Sequence, residues 1–281
     1  MKNKLVSVNV TTYNRSNLLS RCIKSILRQS YKEIEIVIVD DCSSDNTEEV
    51  VRSFQSHHEC IKYFRHSNNK GNAFARNTAI KKCNGYYVAF MDDDDEWIDS
   101  NKLQKQVAIF ESNSVDNLGI VCSGIKRHHV SGKVTDEKPV IYKNIKKKVL
   151  GGGLIHNSTV LTKKNIILKV GGFDEKMLRG IDSEFFRRMI VMHNYNVHFM
   201  EDLTCGYYED SPNRITTNNN NVLGLKNTIK THKYILKKYS KYYFLYPQPL
   251  LVRLKIMLIL YFKLIQKSWF ENKKKHKSSS F

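Results

Sequence analysis

The chain has 281 residues, 41% of them apolar, enough to bury one substantial core or one core with a smaller appended element, and too apolar for a disordered or fibrous protein. The formal net charge of +19 is unevenly placed: residues 222–281 hold 14 Lys and Arg against the single Glu271, so +13 of it resides there. Six cysteines (Cys22, Cys42, Cys60, Cys83, Cys122, Cys205) form no CxxC pair and several sit in apolar segments, so they read as reduced structural thiols, implying the cytoplasm.

The start, Met-Lys-Asn-Lys-Leu-Val-Ser-Val-Asn-Val, has too short and polar-interrupted an apolar stretch for a signal peptide and reads as a first strand over 5–10. A helix over 17–29, a strand over 34–39, a helix over 47–56, a strand over 61–64, a helix over 72–82 and a strand over 86–90 follow. Next come a helix near 102–110 and a strand over 119–123. Short apolar runs alternate with amphipathic stretches, which predicts βαβ units around a largely parallel sheet, an α/β architecture of nucleotide-binding type. Beyond residue 125 the alternation becomes irregular. A Lys-rich stretch over 143–148 leads to Gly151-Gly152-Gly153, where the backbone either approaches a ligand or forms a flexible connector. A helix over 182–192 and a strand over 197–200 come next, and the Asn tract over 218–221 reads as a loop tip or linker.

Three strand ends carry chemistry. The first runs into Thr11-Thr12-Tyr13-Asn14-Arg15, with a ring for stacking beside polar groups. The second ends in Asp40-Asp41, placed to accept hydrogen bonds from a ribose hydroxyl or a base N–H, while Ser44, Asp45 or Asn46 is expected to cap the next helix. The third enters Phe90-Met91-Asp92-Asp93-Asp94-Asp95, and four adjacent anions repel unless a cation holds them together. Hard oxygen ligands select Mg²⁺ or Mn²⁺, whose shells substrate phosphates usually complete. The bland alternative is a solvated acidic turn that caps the following helix. Between these strands, Asn69-Lys70-Gly71-Asn72-Ala73-Phe74-Ala75-Arg76-Asn77 opens a helix with small residues, which suits close approach of a diphosphate to its positive end, with Arg76 adding a cation.

In order and spacing, VSVNVTTYNR, EIVIVDDCSSDNT, NKGNAFARN, FMDDDDEW and the later GGFDEKMLRGIDSEFFRRM resemble glycosyltransferase family 2, over about residues 4–200. The resemblance implies a GT-A fold, Rossmann-like with flanking helices, and an inverting enzyme that uses a nucleotide-diphosphate sugar, most often a uridine one, with Mn²⁺ or Mg²⁺. It implies that Thr12 and Tyr13 flank the nucleobase beside Arg15, that Asp41 reads the uracil, and that Gly71 and Arg76 lie by the nucleotide. Asp92 and Asp94 match the outer members of the DXD signature. Asp94 is expected to touch the metal with Asp92, while Asp93 or Asp92 lies near the ribose. Asp182 matches the catalytic base, although Ile181 replaces the family's usual acidic predecessor. Glu184 is the runner-up base, and His156 lies in a segment under acceptor or sugar. On this reading residues 1–221 form the transferase domain, 1–124 for the nucleotide and 125–221 for the acceptor, and 222–281 form a basic, apolar helical extension.

The segment over 242–270, YYFLYPQPLLVRLKIMLILYFKLIQKSWF, intersperses Arg253, Lys255, Lys263 and Lys267 among aromatic and aliphatic residues. Its uncharged runs fall far short of the roughly 20 residues that span a bilayer. An interfacial helix that buries Leu258, Leu260, Phe262 and Trp269 in an anionic membrane surface is therefore expected, with peripheral attachment at the inner face near a lipid-linked glycan acceptor. A helix packed on the domain is the alternative. A nucleic-acid binder would interleave basic and stacking residues along a groove, whereas here the basic excess accompanies aliphatic side chains, so no nucleic acid is expected. A nucleotidyltransferase shares paired carboxylates and a metal, but the missing Gly-rich loop after the first strand and the Asp182 segment speak against it.

Overall fold

The computed structural model describes residues 4–112, 115–209 and 221–278, the side chains as far as residue 269. The chain order is β1 (Val6–Thr12), α1 (Ser16–Leu27), β2 (Ile34–Asp40), α2 (Thr47–Gln55), β3 (Ile61–Arg65), α3 (Asn72–Lys82), β4 (Tyr87–Asp92), β5 (Glu96–Trp97) and α4 (Lys102–Glu111). The second part has β6 (Leu118–His128), β7 (Val134–Glu137), α5 (Ile145–Gly151), a single 3₁₀ turn (Asn157–Thr159), β8 (Leu161–Lys163), α6 (Lys164–Val170), α7 (Ile181–Val191) and β9 (Asn196–Tyr208). Three helices follow: α8 (Val222–Lys238), α9 (Ser240–Leu245) and α10 (Pro247–Ser278).

One sheet in the order β3-β2-β1-β4-β8-β6-β9-β5, with β7 on β6, runs through the molecule. Pairing among the first four strands is parallel, and both faces of that part are covered, as near-continuous apolar strands require. Alternation sorts the side chains into two cores. Val8, Ile36, Ile38, Ala89 and Met91 pack beneath α1 and α4, whereas Val37, Val39, Val88 and Phe90 pack against α3, α6 and α7. Helix α1 buries Leu19, Cys22, Ile23 and Ile26, the i, i+3, i+4, i+7 stripe of an amphipathic helix.

Register decides the site. Thr12 stands opposite Asp40 and Thr11 opposite Asp92, so β1, β2 and β4 end level at their carboxyl edge. Antiparallel β8 then bridges β4 to β6, and β6 and β9 pair in parallel from Leu118 to His128 with irregularities near Cys122 and Gly124. Strands β5, β7 and β8 and helices α5 and α6 were not legible as periodic segments, and β6 and β9 run well past the predicted 119–123 and 197–200.

Residues 218–220 of the Asn tract lie outside the described residues, while the Asn221 side chain accepts from the Gly224 N–H at 2.6 Å and so caps α8. Helix α8 buries Leu225, Ile229 and Ile235 against the body. On α10, Arg253 is buried, whereas Leu251, Leu254, Leu258, Phe262, Ile265 and Trp269 are all exposed. At 3.6 residues per turn these six fall within about 80° of arc, a single stripe. Leu260, expected on that stripe, is half-buried because its position turns it toward the body. Among the described residues no helix is long and apolar enough to cross a membrane.

Candidate active site

The level strand ends bring the sequence motifs together. Thr12 is buried, and its carbonyl accepts from the Asp41 N–H at 3.0 Å, which ties the ends of β1 and β2. Tyr13, one residue on, is 46% exposed and free to stack on a planar ligand. Asp40 proves structural: it is fully buried and accepts from the Ser43 N–H and the Tyr63 hydroxyl. Asp41 accepts from the N–H groups of Lys70 (2.9 Å) and Gly71 (2.7 Å) and lies 2.8 Å from His66 Nδ1, so it pins the loop that opens α3. Gly71 is the N-cap of α3 at φ 88°, a left-handed conformation in which a side chain would be strained. Asp45 accepts from the Thr47 N–H at 3.2 Å, although the N-cap position of α2 is Asn46.

The acidic run is a turn between β4 and β5, and each carboxylate in it has a partner. Asp92 accepts from Arg76 at 2.7 Å and from the Asn157 amide at 2.8 Å, and remains one-third exposed. Arg76 is buried over the Phe173 ring at 5.2 Å and is therefore not a surface cation. The Arg15 guanidinium lies 2.8 Å from Asp93 and 3.4 Å from Asp94. Burial pushes the Asp93 carboxyl up to about 6, with Arg15 pulling the other way. Asp95 accepts from Ser158 at 2.5 Å, and Arg21 donates to the Asp94 carbonyl at 2.8 Å. Asn157, Ser158 and Arg21 escaped the sequence reading. Asn157 lies 65 residues from its partner Asp92, and nothing in its local pattern signals the contact.

These donors fit a divalent ion. Mg²⁺ and Mn²⁺ take hard oxygens and are commonly held by one or two carboxylates plus substrate phosphates. Among the described residues no three His, Cys, Asp or Glu side chains form a metal-holding cluster. The acidic turn already draws in a cation, the Arg15 guanidinium, where Asp93 and Asp94 converge.

Across the cleft, Asp182 sits in the first turn of α7, whose N-cap is Gly180 at φ 60°, so Asp182 is not itself the cap. It is half-buried and has no hydrogen-bond partner among the described residues. Glu184 differs sharply. It is fully buried and bound by Lys238 Nζ (2.7 Å), Arg188 (2.9 Å) and the Tyr239 hydroxyl (3.1 Å). A carboxylate held by two cations away from solvent has no access to an acceptor hydroxyl, which removes Glu184 as the alternative base. His156 is half-exposed, its ring edge-on to Tyr207 at 5.5 Å. Burial, with Arg127 adding to it, holds its imidazole below the usual value, while Asp182, Glu137 and Asp92 pull the other way.

Helix α7 and the C-terminal helices hold this side. Arg187 donates to the Val149 carbonyl at 2.7 Å, while Arg253 (2.6 Å) and the Tyr243 hydroxyl (3.0 Å) donate to the Leu150 carbonyl. These carbonyls close α5, satisfying groups a helix end leaves orphaned. The glycine run follows at once, and at Gly153 an added Cβ would lie 2.7 Å from Ser183 Oγ. The run therefore supplies close approach to the start of α7.

The fold is that of GT-A glycosyltransferases, and the chain belongs to glycosyltransferase family 2, whose family model, Glycosyl transferase family 2, matches residues 7–162. It is 35% identical over 147 residues to the UDP-Glc:alpha-D-GlcNAc-diphosphoundecaprenol beta-1,3-glucosyltransferase WfgD of Escherichia coli, covering 52% of this chain and 57% of that one. It is 35% identical over 171 residues to the GalNAc(5)-diNAcBac-PP-undecaprenol beta-1,3-glucosyltransferase of Campylobacter jejuni, covering 59% of this chain and 49% of that one. The chain thus spans about half the length of these relatives. The mannosyltransferase PcManGT from Pyrobaculum calidifontis, solved with GDP-Man and Mn²⁺, shares the fold at a TM-score of 0.65 and 21% identity, covering 84% of this chain and 65% of that one.

Proposed function

We propose that this protein is an inverting glycosyltransferase that moves a sugar from a nucleotide-diphosphate sugar, a uridine one, to a hydroxyl of a lipid-linked glycan. The observation that carries the reading is the segment over 153–157, which meets Ser183 at Gly153 and holds Asp92 through the Asn157 amide, so it links the start of α7 to the end of β4. Support for a lipid-linked acceptor comes from relatives named for diphosphoundecaprenol substrates.

In this reading Tyr13 stacks on the uracil and Asp41 accepts a hydrogen bond from it, with Thr12 beside them. Gly71 opens the amino end of α3 toward the diphosphate. Arg76 and Asn157 orient Asp92, which lies by the ribose with Asp93 next to it, and Arg15 balances the acidic turn. A Mn²⁺ or Mg²⁺ held by Asp94 and Asp92 would supply charge neutralisation of the departing diphosphate. Asp182, half-buried in the first turn of α7, takes the acceptor proton as that oxygen attacks the anomeric carbon from the opposite face. No covalent intermediate is required.

The exposed stripe of α10 with Lys255, Lys263 and Lys267 is read as the attachment to the anionic inner membrane face. Each basic residue there contributes about 1 kcal/mol near an anionic surface. Replacement of the exposed Leu258, Phe262, Ile265 and Trp269 by Ser, which leaves the buried contacts of α8, α9 and Arg253 in place, then releases the protein from anionic vesicles in flotation, and salt weakens attachment of the intact chain.

The deciding experiment is calorimetric titration of uridine diphosphate with Mn²⁺ and with EDTA. Tight binding only with Mn²⁺ is expected. Equal affinity in both would defeat the metal assignment, and no binding in either would defeat the donor.

A further inference from the structure

We propose that the cavity beside His156 is an acceptor subsite for an uncharged sugar ring bearing a small apolar substituent, such as the methyl of an acetamido group. The inference rests on the transferase reading of the cleft and adds the class of acceptor. The cavity, of about 190 Å³, is walled by Val140, Tyr142, Leu154, Ile155 and Phe199, with His156 also lining it.

Three observations select the occupant. The volume suits one ring with a substituent and is too small for a polyprenyl chain, which must lie elsewhere. The walls are mainly aliphatic and aromatic, which favours a methyl over a hydroxyl because a buried hydroxyl must find a partner. The charged residues lining the cavity, Glu137 and Lys138, are opposite in sign, and Glu137 is already held by Arg127 at 2.5 and 3.0 Å, so the lining favours an uncharged ring over an ionic substituent. Position then ties the cavity to chemistry: His156 immediately precedes Asn157, whose amide holds Asp92, and it follows by three residues Gly153, which faces Ser183 Oγ beside Asp182 in sequence. A ring lodged there lies beside the segment that links Asp92 to the start of α7, with the imidazole of His156 available to its hydroxyl or amide groups.

The test is saturation-transfer NMR on the full chain with uridine diphosphate and Mg²⁺, comparing methyl N-acetylglucosaminide with methyl glucoside. The strongest saturation is expected at the acetyl methyl, and the glucoside is expected to bind about 5- to 10-fold more weakly, the scale of one buried methyl group. Val140 is 55% exposed at the cavity, so Val140→Trp can close it without disturbing the core. That variant should abolish the preference and leave nucleotide affinity unchanged by calorimetry. Equal binding of the two glycosides to the unaltered protein, or a preference that survives Val140→Trp, overturns the subsite. Failure of uridine diphosphate to bind overturns the transferase reading and the subsite with it. That case is told apart because the glycoside comparison is read with nucleotide bound.

Discussion

The donor edge and the acceptor side of the cleft are built differently. At the donor edge, Thr12, Asp40 and Asp92 stand level because three parallel strands pair in register, and the carboxylates sit where the strands stop. On the acceptor side, Asp182 begins a helix and His156 lies on an irregular segment, and the end of α5 that leads into that segment is held by Arg187 of α7 and Arg253 of α10. Backbone pairing places the first group, and buried polar contacts place the second. A surface substitution should therefore leave the donor edge in place, whereas loss of one buried contact can displace the acceptor side.

Asp182 and Glu184 sharpen that contrast most, being two residues apart with opposite surroundings. Asp182→Asn is expected to lower transfer roughly 10²- to 10⁴-fold, the usual worth of a general base, with nucleotide affinity unchanged by calorimetry. Glu184→Gln should instead destabilise the fold by about 3–5 kcal/mol in urea titration, because Lys238 and Arg188 lose a buried counter-charge. A soluble, fully stable Glu184→Gln protein without transfer activity would reverse the two roles.

Arg253→Ala tests the tie between the C-terminal helices and the glycine run. It removes a donor from the buried Leu150 carbonyl, which costs about 1–3 kcal/mol. The acceptor KM should rise while the donor KM holds. Equal change in both would show a general loss of structure.

At the donor edge, Arg15→Ala should raise Mn²⁺ affinity in the absence of nucleotide by several-fold, since the guanidinium competes for Asp93 and Asp94. Weaker Mn²⁺ binding would mean that Arg15 organises the turn instead.

The smallest effect is a slope. Lys102 is fully buried, its Nζ 4.2 Å from the Trp97 ring, and burial pushes its ammonium down to about 7 from 10.5. Between those values the unfolded chain keeps a proton the folded chain has shed, so this group makes stability rise with pH across that window. Lys102→Met should flatten the rise, with its gain in Tm, about 2–4 °C per kcal/mol, larger at pH 6 than at pH 9. An unchanged slope would remove Lys102 as its cause.

Much of the donor edge was legible because its signals are local. Strand runs, the ends at Asp41 and Asp92, and the glycine opening of α3 lie within short windows of sequence, and the helix over 72–82 was read to the residue. On the acceptor side the sequence pointed to Asp182 and His156 but not to the contacts around them. Strands β5, β7 and β8 are two to four residues long, too short for a period to show, and they exist because β4, β6 and β9 offer them partners.

Residue order alone therefore determined the βαβ alternation, the family and the clustering of charge, since these depend on spacing along the chain. Tertiary structure decided which carboxylates are available. It locked Asp40 under Tyr63, sealed Glu184 beneath Lys238 and Tyr239, left Asp182 without a hydrogen-bond partner among the described residues, and turned Leu260 inward while Leu258 and Phe262 face out. The physical reason is that a carboxylate's reach depends on burial and on cations brought from far along the chain, and neither is written in the residues beside it.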